Sequence, residues 1–158
     1  MSARPAGEAC PAPGDPLHGT VLVLGTQGVL LLGDSGAGKT TLALDLLARW
    51  RGRGRFAALV ADDRAAVVAS GGRAVASAPP AIAGLAELAG HGIVRPRAVP
   101  AAVLELAATL RPDREIERIP PSLPPLVVAG VRLRHVLLPA RSPRAAALLE
   151  AALAADPG

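Results

Sequence analysis

Gly33-Asp34-Ser35-Gly36-Ala37-Gly38-Lys39-Thr40 stands between an apolar run, residues 29–32, and an alanine- and leucine-rich stretch that starts at Thr40. The run predicts a strand, and the stretch predicts a helix with Leu42, Leu46 and Leu47 on its buried side. A strand, a glycine-rich turn and a helix in that order make a cradle for phosphate. The glycines let backbone N–H groups turn inward, and the helix adds the positive end of its dipole. Lys39 is the only lysine of the chain; the other sixteen basic residues are arginine. A slim ammonium reaches outer phosphates where a planar guanidinium fork fits badly. Thr40 supplies a hydroxyl for a magnesium ion. The stretch predicts a phosphate loop that binds a nucleoside triphosphate or a similar polyphosphate.

Upstream, Thr20–Leu24 reads as a short strand joined to 29–32 through the turn Gly25-Thr26-Gln27-Gly28. A tight hairpin just before the loop departs from a simple βαβ start. Downstream, Arg51-Gly52-Arg53-Gly54-Arg55 is a basic connection, and residues 56–61 form a buried strand that ends in Asp62-Asp63. Residues 65–69 and 73–78 read as a hairpin turning on Gly71-Gly72. Residues 81–88 read as a short helix or turn, 93–94 as a strand stub, and 120–125 as a proline turn. Residues 101–110 remain open: alanine favours helix, whereas a place beside the sheet favours strand. Residues 131–138 predict a strand and 143–155 a final helix ended by Pro157 and Gly158. The pattern is α/β with antiparallel pieces.

At 158 residues the chain suits one domain with a full core. Aromatics are 1% of it, so Leu, Val and Ala must do the packing. The formal charge is only +4, and with so few stacking aromatics no nucleic-acid partner is expected. Cys10 is alone, which excludes an intrachain disulfide. Residues 1–17 hold four prolines, Glu8 and Asp15, and read as a disordered lead-in, not a signal peptide. With no apolar run of spanning length, the expectation is a cytoplasmic protein without a membrane partner.

Asp62-Asp63 follow the loop by one helix and one strand, which places a carboxylate across the nucleotide site. One such carboxylate orders magnesium through water and a second takes a proton from an attacking hydroxyl; alternatively, one or both cap the turn into the hairpin. Taken alone, Glu87 is a solvated helix-end carboxylate, His18 a surface residue, and Arg118 and Arg141 part of the arginine background.

Together these residues resemble the catalytic domain of the HPr kinase/phosphorylase family. The resemblance is carried by His18-Gly19, by Gly28 to Thr40, and by Leu59-Val60-Ala61-Asp62-Asp63-Arg64. It is carried further by Ala78-Pro79-Pro80 and by Glu87-Leu88-Ala89-Gly90-His91-Gly92-Ile93-Val94, similar to the family's Glu-Ile-Arg-Gly-Leu-Gly-Ile signature. It implies a phosphate-loop α/β domain related to phosphoenolpyruvate carboxykinase, over residues 18–156, with a mixed sheet, antiparallel hairpins and flanking helices. It implies ATP-dependent phosphorylation of a serine on the phosphocarrier HPr, reversed by phosphate, in a homo-oligomer that is a hexamer in the family. ATP contacts then fall to Gly33, Asp34, Ser35, Gly36, Ala37, Gly38, Lys39 and Thr40, and magnesium to Thr40 and Glu87. Asp63 becomes base and acid; His18, Lys39 and Arg118 become active-site residues, Arg118 being linked to the reverse reaction. The segment Pro139-Ala140-Arg141-Ser142-Pro143-Arg144 matches a late loop linked to that reaction as well.

Four departures from the family pattern are expected to matter: this sequence is read as the short form without the family's N-terminal domain, Ala89 stands at a signature arginine, Thr41 at an acidic residue, and residues 51–55 are longer and more basic. Two other classes stay open on the residues alone. One is a kinase or ATPase with a small-molecule or water acceptor; the other is a non-catalytic ATP-binding regulator.

Overall fold

The computed structural model describes residues 16–155. Most of the expected lead-in, Cys10, and the helix-ending Pro157 and Gly158 lie outside the described residues. Leu17, the last residue of that lead-in, pairs with Ala65: β1 (Leu17–His18) runs antiparallel to β5 (Arg64–Ser70).

β2 (Thr20–Leu24) and β3 (Gln27–Leu32) form the hairpin that feeds the loop. Leu24 pairs with Gln27, so the turn is two residues, not four, and Gly25 takes its positive φ of 66°. Gly28 belongs to the strand for a steric reason. A Cβ there would sit 2.1 Å from the Val103 carbonyl oxygen, at a shift in register against the neighbouring strand. After the loop, α1 (Lys39–Gly52) leads to β4 (Ala57–Ala61), which returns antiparallel beside β2.

β5 and β6 (Arg73–Ser77) form the expected hairpin, with Gly71 and Gly72 both in the left-handed region. Residues 81–88 are not a helix. A single 3-10 turn over Pro80–Ile82 is followed by β7 (Ala86–Leu88), which hairpins with β8 (Gly92–Val94) as a separate two-stranded sheet. The open question at residues 101–110 resolves as β9 (Ala101–Arg111), which pairs with three strands. Alanine's helical preference is weak per residue, and a central place in a sheet supplies far more through hydrogen bonds and burial. β10 (Leu126–Val128), which the proline-rich context hid, hairpins with β11 (Val131–Pro139) around Ala129 and Gly130, both at positive φ. α2 spans Ala145–Ala154.

The sheet has nine strands in the order β1-β5-β6-β9-β3-β2-β4, with β11 and then β10 joined through β9. Strand alternation gives it two apolar faces. Leu22 and Leu24, Val29 and Leu31, and Leu106, Ala108 and Leu110 pack under Leu42, Leu46 and Trp50 of α1 and Leu149 of α2. Val21, Val23, Leu30, Leu104 and Ala107 face Ala65, Ala74 and Ala76 of the β5–β6 hairpin. The fold is mixed α/β with a curled sheet, two helices covering one face and a hairpin the other. β3 and β4 both run antiparallel to β2 and so end on the same edge of the sheet, where α1 starts, and the candidate site forms at that rim.

Candidate active site

The glycine-rich loop leaves β3 at Gly33 and enters α1 at Lys39. Gly33, Gly36 and Gly38 have φ of 148°, 77° and 94°, a region that glycine reaches without steric cost. Ala37 N–H donates to the Asp34 carbonyl (3.0 Å), and Leu42 N–H to Gly38 (2.9 Å), so a tight turn passes directly into the helix. Lys39 is buried (7% exposed), and its Nζ donates to the carbonyls of Gly33 (2.8 Å) and Asp34 (3.1 Å). The ammonium thus lies folded across the mouth of its own loop.

Asp62, one residue past β4, collects three donors. Thr40 Oγ1 (2.6 Å) and Thr20 Oγ1 (3.0 Å) both donate to its Oδ1, and the Glu87 backbone N–H donates to Oδ2 (3.0 Å). It is 6% exposed. A buried carboxylate is costly without such partners; with them it ties the start of β2, the first turn of α1 and β7 to one point.

Asp63 turns the other way. Its φ is 66°, a conformation in which Asp is enriched among non-glycine residues. Its carbonyl accepts from Gly19 N–H (2.9 Å), and its Oδ1 lies 3.0 Å from His18 Nε2, with both side chains more than half exposed. Adjacent carboxylates therefore have opposite settings, one buried against the helix and one presented to solvent beside a histidine. Glu87 lies on β7, not on a helix; its side chain is exposed while its backbone is held at Asp62.

One arginine that the sequence could not separate from its background proves to be part of the rim. Arg141 Nε donates to the Gly36 carbonyl (2.6 Å) and its N–H to the Ala37 carbonyl (3.2 Å), with φ at 52°. Only its place in the segment that follows β11 hinted at this. Arg118 is different. It is exposed in the irregular residues 116–125, and no hydrogen bond or ion pair joins it to the loop among the described residues. His135, unmarked in the sequence, bonds Thr109 Oγ1 at 2.8 Å, and burial lowers its pKa. A cavity of about 520 Å³, lined by Gln27, Arg73, Glu105 and Arg132 among others, opens at the far end of the sheet and contains none of the rim residues. No helix among the described residues is long and apolar enough to cross a membrane.

The chemistry open to this rim is phosphate binding at the glycine-rich loop and Lys39, and proton transfer at Asp63. The family model of the HPr Serine kinase C-terminal domain matches residues 11–156. The HPr kinase/phosphorylases of Burkholderia cenocepacia (strain HI2424) and Paraburkholderia phymatum are each 36% identical over 153 residues, covering 90% of this chain and 46% of the relative. The chain thus spans about half the length of the curated relatives it matches, 46%. The solved structure of the HPr(Ser) kinase/phosphatase from Coxiella burnetii superimposes with a TM-score of 0.72 at 23% identity, over 87% of this chain and 93% of that one. At that identity the likeness is one of fold. Matched over nearly all its length, and with loop and paired aspartates assembled at one rim, the chain belongs to the HPr serine kinase C-terminal domain family.

Proposed function

We propose that residues 18–156 form an ATP-dependent protein-serine kinase domain of the HPr kinase/phosphorylase type, acting on an HPr-type phosphocarrier. The observation that carries this reading is the split between the two aspartates: Asp62 is buried and secures Thr40 at the loop, and Asp63 is exposed and paired with His18. A domain that only bound nucleotide has no use for an exposed carboxylate held in a left-handed turn at the acceptor side.

ATP phosphates would lie in the cradle of residues 33–40, with Lys39 exchanging the Gly33 and Asp34 carbonyls for phosphate oxygens. The residues present fit magnesium. Thr40 donates its proton to Asp62 and keeps lone pairs for a cation, and Glu87 offers an exposed carboxylate beside them. Both oxygens of Asp62 already accept hydrogen bonds, which suits contact through water. Among the described residues no three His, Cys, Asp or Glu converge as a cage; magnesium that leans on substrate phosphates needs none. A magnesium ion held by Thr40 and Glu87 would supply positive charge against the phosphates of ATP.

Asp63 takes the proton of the target serine as the phosphoryl group transfers in line, while His18 holds the carboxylate in place. In the reverse direction inorganic phosphate attacks phosphoserine, Asp63 protonates the leaving serine oxygen, and pyrophosphate departs. Arg118 belongs to that half of the reaction in this reading. A cytoplasmic location and a homo-oligomer complete it.

Incubation of the purified protein with magnesium, labelled ATP and an HPr-type protein tests the proposal. Label should appear on one serine of the acceptor. ATP binding without label on that serine would overturn the assignment of acceptor.

A further inference from the structure

The apolar face of β2 that packs under the helices reads Thr20, Leu22, Leu24, and only its first position is polar. Thr20 is fully buried (0% exposed). A buried strand position next to Val21, Leu22 and Val23 suits valine better than threonine, because valine has the same shape and no hydroxyl to satisfy. That hydroxyl has one recorded partner, Asp62 Oδ1, and it shares the atom with Thr40. Register explains the meeting. β2 and β4 run antiparallel with Val21 opposite Ala61, so Thr20 and Asp62 are the next cross-strand pair, just beyond the end of the ladder.

We infer that Thr20 is a positioning residue: it fixes the Asp62 carboxylate so that Thr40 and the Glu87 backbone are held together at the magnesium side of the loop. The inference rests on the functional reading above. The carboxylate is approached from three elements, and each donor removes one way for it to turn. Thr40 stands on the first turn of α1, where nucleotide would pull on it, and Glu87 stands on a small separate sheet. Thr20, on a central strand with both neighbours paired, is the one donor whose backbone has no reason to move. Without it the Asp62 carboxylate is held only by the two parts of the site that bind ligand, and it turns with them. Groups that bond a metal ligand directly and orient it are worth about 10–100-fold in metal affinity; Thr20 acts one step further back, through Asp62 on Thr40, so its effect is smaller.

Thr20→Val keeps the shape and removes the donor; Thr20→Ser restores the donor. Two measurements decide. The first is amide exchange at Glu87 in the nucleotide-free protein, which should speed up in Thr20→Val and return to the parent rate in Thr20→Ser. The second is affinity for a non-hydrolysable ATP analogue with and without magnesium. The gain on adding magnesium should shrink several-fold in Thr20→Val, below the about 10–100-fold of a direct partner of a metal ligand, magnesium-free affinity should hold, and Thr20→Ser should recover the gain. Unchanged Glu87 exchange, an equal loss of affinity with and without magnesium, or failure of serine to rescue would each overturn the inference. A parent protein that bound no analogue at all would sink the proposed function instead, and Glu87 exchange would still decide the role of Thr20.

Discussion

The two ends of α1 carry positive charge in opposite ways. At the N-terminal end a single lysine is buried, bonded to two loop carbonyls, beside a buried aspartate that holds the first turn. At the C-terminal end, about 20 Å away along fourteen residues, Arg49, Arg51, Arg53 and Arg55 are all exposed. Three of them have occupations of their own. Arg49 pairs with Asp45 (2.9 Å), Arg53 reaches across to Glu150 on α2 (2.6 Å), and Arg55 stacks 3.9 Å over the Trp50 ring. Exposed pairs of this kind contribute little, about 0–1 kcal/mol each. The difference teaches that charge count does not locate function. A charge that is desolvated and held by backbone acceptors has a fixed place from which to act, and four solvated ones do not.

Asp63→Asn should produce the largest effect at the loop end. The amide keeps a contact to His18 but takes up no proton, so transfer to the acceptor should fall by about 10²–10⁴-fold while the affinity for Mg-ATP holds. Parallel small losses in binding and turnover would make Asp63 a turn residue and remove the contrast with Asp62. Lys39→Ala should follow, with transfer reduced by about 10²–10³-fold through lost stabilisation of phosphate charge and a circular dichroism spectrum like that of the parent. Lys39→Arg should fail as well. Near-normal transfer by the arginine variant would mean that any buried cation serves there.

Arg141→Ala sharpens the comparison, because Arg141 is, among the described residues, the one exposed arginine bonded to the loop itself. Loss of a charge-assisted bond to Gly36 costs about 1.5–3 kcal/mol of loop order at most, so nucleotide affinity should drop by roughly tenfold, read by calorimetry. An unchanged affinity would show that the glycines hold the cradle unaided. The smallest effect belongs to the far end. Neutralising Arg51, Arg53 and Arg55 together should leave the Michaelis constants for ATP and for the protein acceptor unchanged at both low and high salt. A constant for the acceptor that rises at low salt, and recovers as salt screens over about 8–10 Å, would make the stretch a docking patch and break the comparison.

Glycine and alternation carried most of what could be read in advance. The loop, the hairpin turn at Gly71-Gly72 and the strand ending in Asp62-Asp63 are short-range features, since positive φ and a two-residue period are properties of neighbours in the chain. β7 and β10 are too short to show a period, and they exist because partner residues three to eight positions further on close each hairpin. The same limit explains why Glu87 was expected on a helix although its nearness to the site was legible. Arg141 is one arginine among sixteen; its segment matches a late loop of the family, but nothing in residue type or spacing shows that it bonds the glycine-rich loop.

The sequence by itself determined that a glycine-rich loop with one lysine opens a helix, and that two carboxylates end a buried strand shortly afterwards. These follow from residue type and spacing, because backbone conformation at glycine and burial of an apolar run are local. Only the tertiary structure decided that β9 is a strand, since its alanines gain from β3 and β11 on either side more than helix propensity offers. It also decided which aspartate is buried. Asp62 falls opposite Thr20 and beneath Thr40, whereas Asp63, one residue on, turns left-handed toward His18. That division depends on the antiparallel return of β4 beside β2, a pairing between residues some forty positions apart.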